Sequence, residues 1–203
     1  PELVFVQPKA EIMKSRSLSG SAYIDFPVDR TVIYPDYRRN TVELGKIQAT
    51  IDSVRNDRDV TIMSVWLKGF ASPESPYKHN TELAIGRTAA LKKHIGQLYH
   101  FADSIILTDY EPEDWEGLRR YVEQSNINHR KEILSLIDSD MEPDAKEAKI
   151  KRTYPKEYRF MLQHFYPALR HTDYRIDYNI RTFSDVEEIK RIMAEQPQKL
   201  SQN

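Results

Sequence analysis

A chain of 203 residues is long enough for one α/β domain with a real core plus an insertion. Its 30 basic and 31 acidic residues give a formal charge of -1 with neither sign gathered into a long block, which argues against nucleic acid or anionic membrane as the main partner. The absence of cysteine removes disulfides, thiolate metal sites and cysteine nucleophiles, and no stretch approaches the roughly 20 apolar residues needed to span a bilayer.

In chain order, Lys14 to Ser21 is small and polar and reads as a linker, so residues 1–20 are expected to be a linker or the end of a preceding domain. Ala22, Ile24 and Phe26 alternate with Tyr23 and Asp25, a period-2 pattern that predicts a half-buried strand stopped by Pro27. Asn40 and Glu43 have the spacing of a capping box. The apolar positions Leu44, Ile47, Ile51 and Val54 then predict a helix over 41–55. Residues 59–68 are nearly continuously apolar and β-branched, which predicts a central strand covered on both faces.

After a break over 69–79, Asn80 offers a cap to a second helix, with Ala84, Thr88, Leu91, Ile95 and Leu98 on one stripe. Residues 104–108 predict a short third strand. Helical signals fill about 110–170: Trp115, Leu118 and Val122, then Ile133, Leu134 and Ile137, then Tyr158, Met161, Leu162 and Phe165, with Pro155 suited to a first turn. Strict alternation over 172–180 predicts a last strand with Thr172, Tyr174, Ile176, Tyr178 and Ile180 buried. Ser184 and Glu187 then open a short helix carrying Val186, Ile189 and Met193, so 183–203 is expected to be a helix and a tail leading onward. The fold class expected is α/β, a βαβαβ mixed sheet with helices packed on it and a helical insertion before the last strand. The main domain is expected over 21–182.

One segment carries more than fold. Gly69-Phe-Ala-Ser-Pro-Glu-Ser-Pro-Tyr-Lys-His-Asn80, continuing to Arg87, resembles the signature of OmpA-like peptidoglycan-binding domains, with Gly69, Asn80, Leu83 and Arg87 in register. Tyr23 to Phe26 is similar to that family's opening strand. Leu169 to Tyr174 is similar to its closing strand, with Arg170 and Asp173 matching. The Gly-Phe-Ala-Ser-Pro-Glu variant together with Glu-Asp-Trp115-Glu-Gly-Leu resembles a Gram-negative envelope branch of the family that is often linked to surface fimbriae.

The resemblance implies a non-catalytic, periplasmic, outer-membrane-associated module that anchors to the cell wall, needs no cofactor, and holds the diaminopimelate of the peptidoglycan stem peptide. It implies ligand contacts at Ser72, Glu74, Tyr77, His79, Asn80, Arg87 and Arg170, with the helix arginine on a ligand carboxylate. Arg87 follows Asn80 by seven residues, nearly two helical turns, so both share one helix face. A planar guanidinium suits bidentate carboxylate binding. The family's loop aspartate is replaced by Ser72, which supplies no charge for a ligand amine, and Glu74 two residues on is a substitute.

Each feature also has a structural reading. Asn80 is a helix cap, Gly69 a turn residue, and Arg87 a member of an internal ion pair with Glu43 or Asp173. The six histidines are scattered without metal-ligand spacing. Glu111, Glu113, Asp114 and Glu116 read as ordinary acids opening a helix rather than an acid–base pair. Tyr77 and Tyr110 are expected to be exposed. The alternative function is a ligand-free scaffold that uses the insertion to dock envelope or fimbrial proteins; an enzyme acting on cell-wall glycan is the third and lacks a convincing carboxylate pair.

Overall fold

In the computed structural model, residues 13–182 and 186–198 are described. Ser184 of the expected capping pair therefore lies outside the described residues, as do residues 1–12 and 199–203. The architecture is mixed α/β. A four-stranded sheet is built from β1 (Met13–Ala22), β2 (Val60–Phe70), β3 (Ile106–Glu111) and β4 (Thr172–Arg181), in the order β1-β4-β2-β3. β4 runs antiparallel to both β1 and β2, while β2 and β3 are parallel across the helical crossover between them.

Helices α1 (Asn40–Arg55) and α2 (Tyr77–Tyr99) pack on the sheet. Their stripes Leu44, Ile47, Ile51 and Val54, and Leu91, Ile95 and Tyr99, meet Val65, Leu67, Ile106, Tyr174, Ile176 and Tyr178 in one apolar core. Between β3 and β4 the chain forms α3 (Trp115–Gln124), α4 (Arg130–Ile137), α5 (Pro143–Thr153), α6 (Pro155–His164) and α7 (Tyr166–Leu169). This insertion buries its own core of Leu118, Val122, Ile133, Ile150, Met161, Tyr166 and Leu169, separate from the first. α8 (Val186–Glu195) follows the sheet and buries Ile192, not the expected Met193, which is exposed.

Several sequence expectations are corrected. The polar segment read as a linker is β1 itself, and of the strand expected over 22–26 only Ala22 lies in the ladder. The outer face of β1 is serine: Ser15, Ser17 and Ser21 donate to Asn179, Asp177 and Asp173 of β4. On its inner face only Leu18 and Ala22 are apolar, and between them Gly20 lies under the Tyr174 ring, which supplies bulk there from the neighbouring strand. A strand whose core contribution comes partly from its partner shows only a short, weak apolar period of its own.

β2 is interior, as expected, but only one face is fully buried; Met63 is 52% exposed. Its register slips between Ile62 and Ser64, a bulge that sends Ile62, Val65 and Leu67 to the same side. The slip turns an alternating pattern into the nearly continuous apolar run seen in the sequence. Gly69 is likewise no turn residue. It lies within β2, where a Cβ would collide with the Thr88 hydroxyl of α2, so glycine here sets how closely helix and sheet approach.

Neither asparagine is a helix cap. α1 is preceded by Arg39 and α2 by Pro76, with no side-chain cap at either. Asn40 is fully buried and clamps the preceding loop, taking the Asp25 N–H (2.8 Å) and donating to the carbonyls of Asp25 and Tyr34 (both 2.9 Å). Glu43 adds the Tyr23 N–H (3.0 Å). The capping-box residues thus hold a tertiary loop instead of their own helix.

Candidate functional site

The clamped loop over 23–38 folds against α2. Gly86 makes the approach close: a Cβ there would meet the Thr31 methyl at 2.7 Å. A turn closed by Arg30 N–H on the Pro27 carbonyl (3.0 Å), with Asp29 in the left-handed region at φ 56°, brings the Arg30 carbonyl over Arg87. From the other side comes the loop over 71–76. The Phe70 N–H bonds His171 O (2.9 Å) and Ala71 O accepts the Asp114 N–H (3.0 Å), so this loop is tied to β4 and to the start of the insertion.

Between the two loops and α2 lies a cleft of about 260 Å³. Of the residues singled out from the sequence, Ser72, Glu74, Asn80, Arg87 and Arg170 line it, as does the motif residue Leu83. Tyr77 and His79 do not. Tyr77 is exposed and its N–H donates to Asp144 of the insertion (2.8 Å), while His79 is held at the rim by Asp29 (2.9 Å).

Arg87 is the centre of the arrangement. Its guanidinium lies over the Phe26 ring at 5.0 Å and its Nε donates to Arg30 O at 3.3 Å. No carboxylate of the described residues lies within ion-pair distance of it. The internal partners expected for it are engaged elsewhere: Glu43 with Lys46 (2.7 Å), and Asp173 with His171 (2.9 Å) and Ser21 (2.6 Å). Burial and the nearby Arg170 cation together lower the Arg87 pKa, opposed by Asp29 and Glu74. Two guanidiniums sharing a cleft disfavour each other's charge and so favour an anion between them.

Arg170 is already partnered. Its Nε donates to the buried Ser72 hydroxyl at 3.0 Å and its Nη2 to Glu74. Ser72 therefore accepts from a protein guanidinium. Across the cleft, Asp25 and Asp29 add carboxylates from the loop over 23–38, so the lining carries cations and anions in a small volume. That is the lining expected around a zwitterion.

Asn80 lies at the base, 2% exposed, donating to Ser75 O (2.7 Å) and to the Glu113 carboxylate (2.9 Å). Glu113 also takes the Trp115 indole N–H (2.7 Å); burial raises its pKa against these hydrogen bonds. Nearby, His171 sits between Asp114 (3.0 Å) and Asp173 (2.9 Å), stacked on Phe70 at 4.3 Å. Burial pulls its pKa down, but the two carboxylate hydrogen bonds win and raise it to about 9.

The four acids clustered at the start of the insertion are all engaged: Glu111 with Lys68, Glu113 as above, Asp114 as cap of α3 through the Gly117 N–H and with His171, and Glu116 with Arg120. The contributions that sequence reasoning missed are those of Asp25, Phe26, Asp29 and the Arg30 carbonyl. The only signal for them was the Asn40/Glu43 spacing, which reported an anchored loop in the form of a helix cap.

The chain is a mixed α/β domain whose cleft is lined by two arginines, Arg170 paired with Glu74 and Arg87 with no carboxylate of the described residues at ion-pair distance. Comparison with known protein-family models and with curated proteins gives no match.

Proposed function

We propose that this chain is a non-catalytic cell-envelope binding domain of the OmpA-like kind, whose Arg87–Arg170 cleft holds the carboxylate of a cell-wall amino acid, diaminopimelate of the peptidoglycan stem peptide. The observation that carries the reading is Arg87: a partly buried guanidinium lining a concave site with no carboxylate of the described residues at ion-pair distance. A charge so placed gains most from an anion arriving from outside. The ligand ammonium, which Ser72 cannot balance, meets Asp25, Asp29 and the second oxygen of Glu74. In this reading the protein sits in the periplasm, associated with the outer membrane, and anchors it or a surface structure to the wall.

Titration calorimetry of the chain with meso-diaminopimelate tests it. Saturable binding is expected, and Arg87→Gln should weaken it about 10–100-fold, the worth of one charged hydrogen-bonded contact. No heat at millimolar ligand would overturn the proposal.

The second reading is a scaffold for fimbrial or other surface assembly, favoured by one observation. The insertion has its own core, and Phe160 stays 42% exposed beside a groove lined by Ile127 and Phe165. Cross-linking in whole envelopes that yields a defined adduct, lost on Phe160→Asp while diaminopimelate binding is nil, would favour the scaffold.

A further inference from the structure

The two-arginine cleft does not end at the loop over 71–76. Glu74 and Ser75 also line a second, wider cleft of about 830 Å³ on the insertion side, walled by Pro155, Tyr158 and Leu162 of α6 and by Lys151 at the end of α5. The shared residues are firmly held: Glu74 by Arg170, and the Ser75 carbonyl by Asn80 at 2.7 Å. The floor between the clefts is thus a fixed strip of backbone and one carboxylate.

The second cleft has its own cations. Lys151 lies 5.6 Å from the Tyr158 ring centroid, and Arg159 donates Nε to the Pro155 carbonyl at 3.3 Å. Both are exposed, and among the described residues neither has a carboxylate at ion-pair distance. Glu147, the acid nearest Lys151 along α5, accepts the Tyr158 hydroxyl at 2.5 Å. An apolar wall from Leu162 and the Tyr158 ring beneath two uncommitted cations suits a chain with an anionic group.

We propose that the two clefts are one extended site for a short peptide with carboxylates on two successive residues. The terminal one lies at Arg87, the chain crosses over Glu74 and Ser75, and the second carboxylate lies at Lys151 and Arg159. The helical insertion is then the part of the protein that reads the peptide beyond its terminal residue. This rests on the reading of Arg87 above.

The test uses the full chain and two synthetic tripeptides, L-Ala-γ-D-Glu-meso-diaminopimelate and the same peptide with the glutamate α-carboxylate amidated, alongside free diaminopimelate. Exposed ion pairs are individually weak, so the wild type is expected to bind the amidated tripeptide about fivefold less tightly. Lys151→Gln with Arg159→Gln should bind both tripeptides alike, at the amidated level, with free diaminopimelate unaffected and an unchanged circular dichroism melt. Equal binding of the two tripeptides by the wild type, or a preference that survives in the double variant, would overturn the proposal. Failure of the Arg87 reading is distinguishable, because it shows as no binding of free diaminopimelate.

Discussion

The side-chain amide of Asn80 donates to the Glu113 carboxylate at 2.9 Å, joining the first turn of α2 to the residues that open the helical insertion. The same amide holds Ser75 O, so one residue ties the cleft floor, the sheet helix and the insertion together. Asn80→Ala leaves a buried carboxylate and a backbone carbonyl each short of a donor, at a cost of roughly 2–3 kcal/mol. For a chain of this size that lowers Tm by about 4–10 °C. Asn80→Asp should cost more at neutral pH, because it sets a second carboxylate against Glu113, and should recover partly in acid. Thermal melts of both variants check this; an unchanged Tm for Asn80→Ala would show that the link is idle.

The Asp114–His171–Asp173 contact predicts a pH window. The His171 pKa rises on folding from 6.5 to about 9, so its stabilisation is fully present below pH 6.5 and is lost as pH climbs through about 9. Asp173 is held below its ordinary value of 3.8, with burial opposing the His171 and Ser21 hydrogen bonds that lower it. Its share is present above that value and lost as pH falls further. The contact is therefore complete from about pH 4 to pH 6.5. Urea denaturation should show a loss of roughly 2–3 kcal/mol between pH 6.5 and 9.5, absent in His171→Gln. An imidazole titration by NMR with its midpoint near 6.5 would refute the arrangement.

Gly69 predicts a size limit in β2. A methyl group there would overlap Thr88 Oγ1 and come within 3.3 Å of Ala84 O, and Thr88 is itself pinned by its 2.7 Å bond to that carbonyl. Gly69→Ala should cost about 1–3 kcal/mol, and pairing it with Thr88→Ala should restore most of the loss. Equilibrium unfolding in urea measures both; a neutral single variant, or a double variant no better than the single, would count against the contact.

Tyr166 offers the reverse sign. It is fully buried in the insertion core, and among the described residues its hydroxyl is the buried side-chain oxygen left without a hydrogen-bond partner. Burial also pushes its pKa far up. Tyr166→Phe keeps the ring and its edge contact with Tyr158 at 6.0 Å while removing the stranded hydroxyl, and should stabilise the protein by about 1 kcal/mol. A destabilised variant would show that the hydroxyl is satisfied.

What the sequence determined by itself was whatever a single element encodes in its own period. The stripe Leu44, Ile47, Ile51 and Val54 set α1, and the alternation of Thr172, Tyr174, Ile176 and Tyr178 set β4 and its buried face. The helical run between β3 and β4, and the meeting of Ser72, Glu74, Asn80 and Arg87 on one cleft, were legible for the same reason, since they lie close along one loop and one helix.

Only the tertiary structure decided what depends on a partner. β1 was hidden because Tyr174 of another strand fills the space over Gly20, and the faces of β2 were blurred by a bulge at Met63 that shows only against Asp177. Asn40 and Asn80 each carry the right residue type for a cap but bond across the fold, because a buried amide is better satisfied by fixed carbonyls and a carboxylate than by a helix end open to water. The state of Arg87 was decided in the same way. Whether a guanidinium is paired or open depends on where Glu43, Asp173 and Glu74 spend their oxygens, and those choices are made by elements distant in the chain.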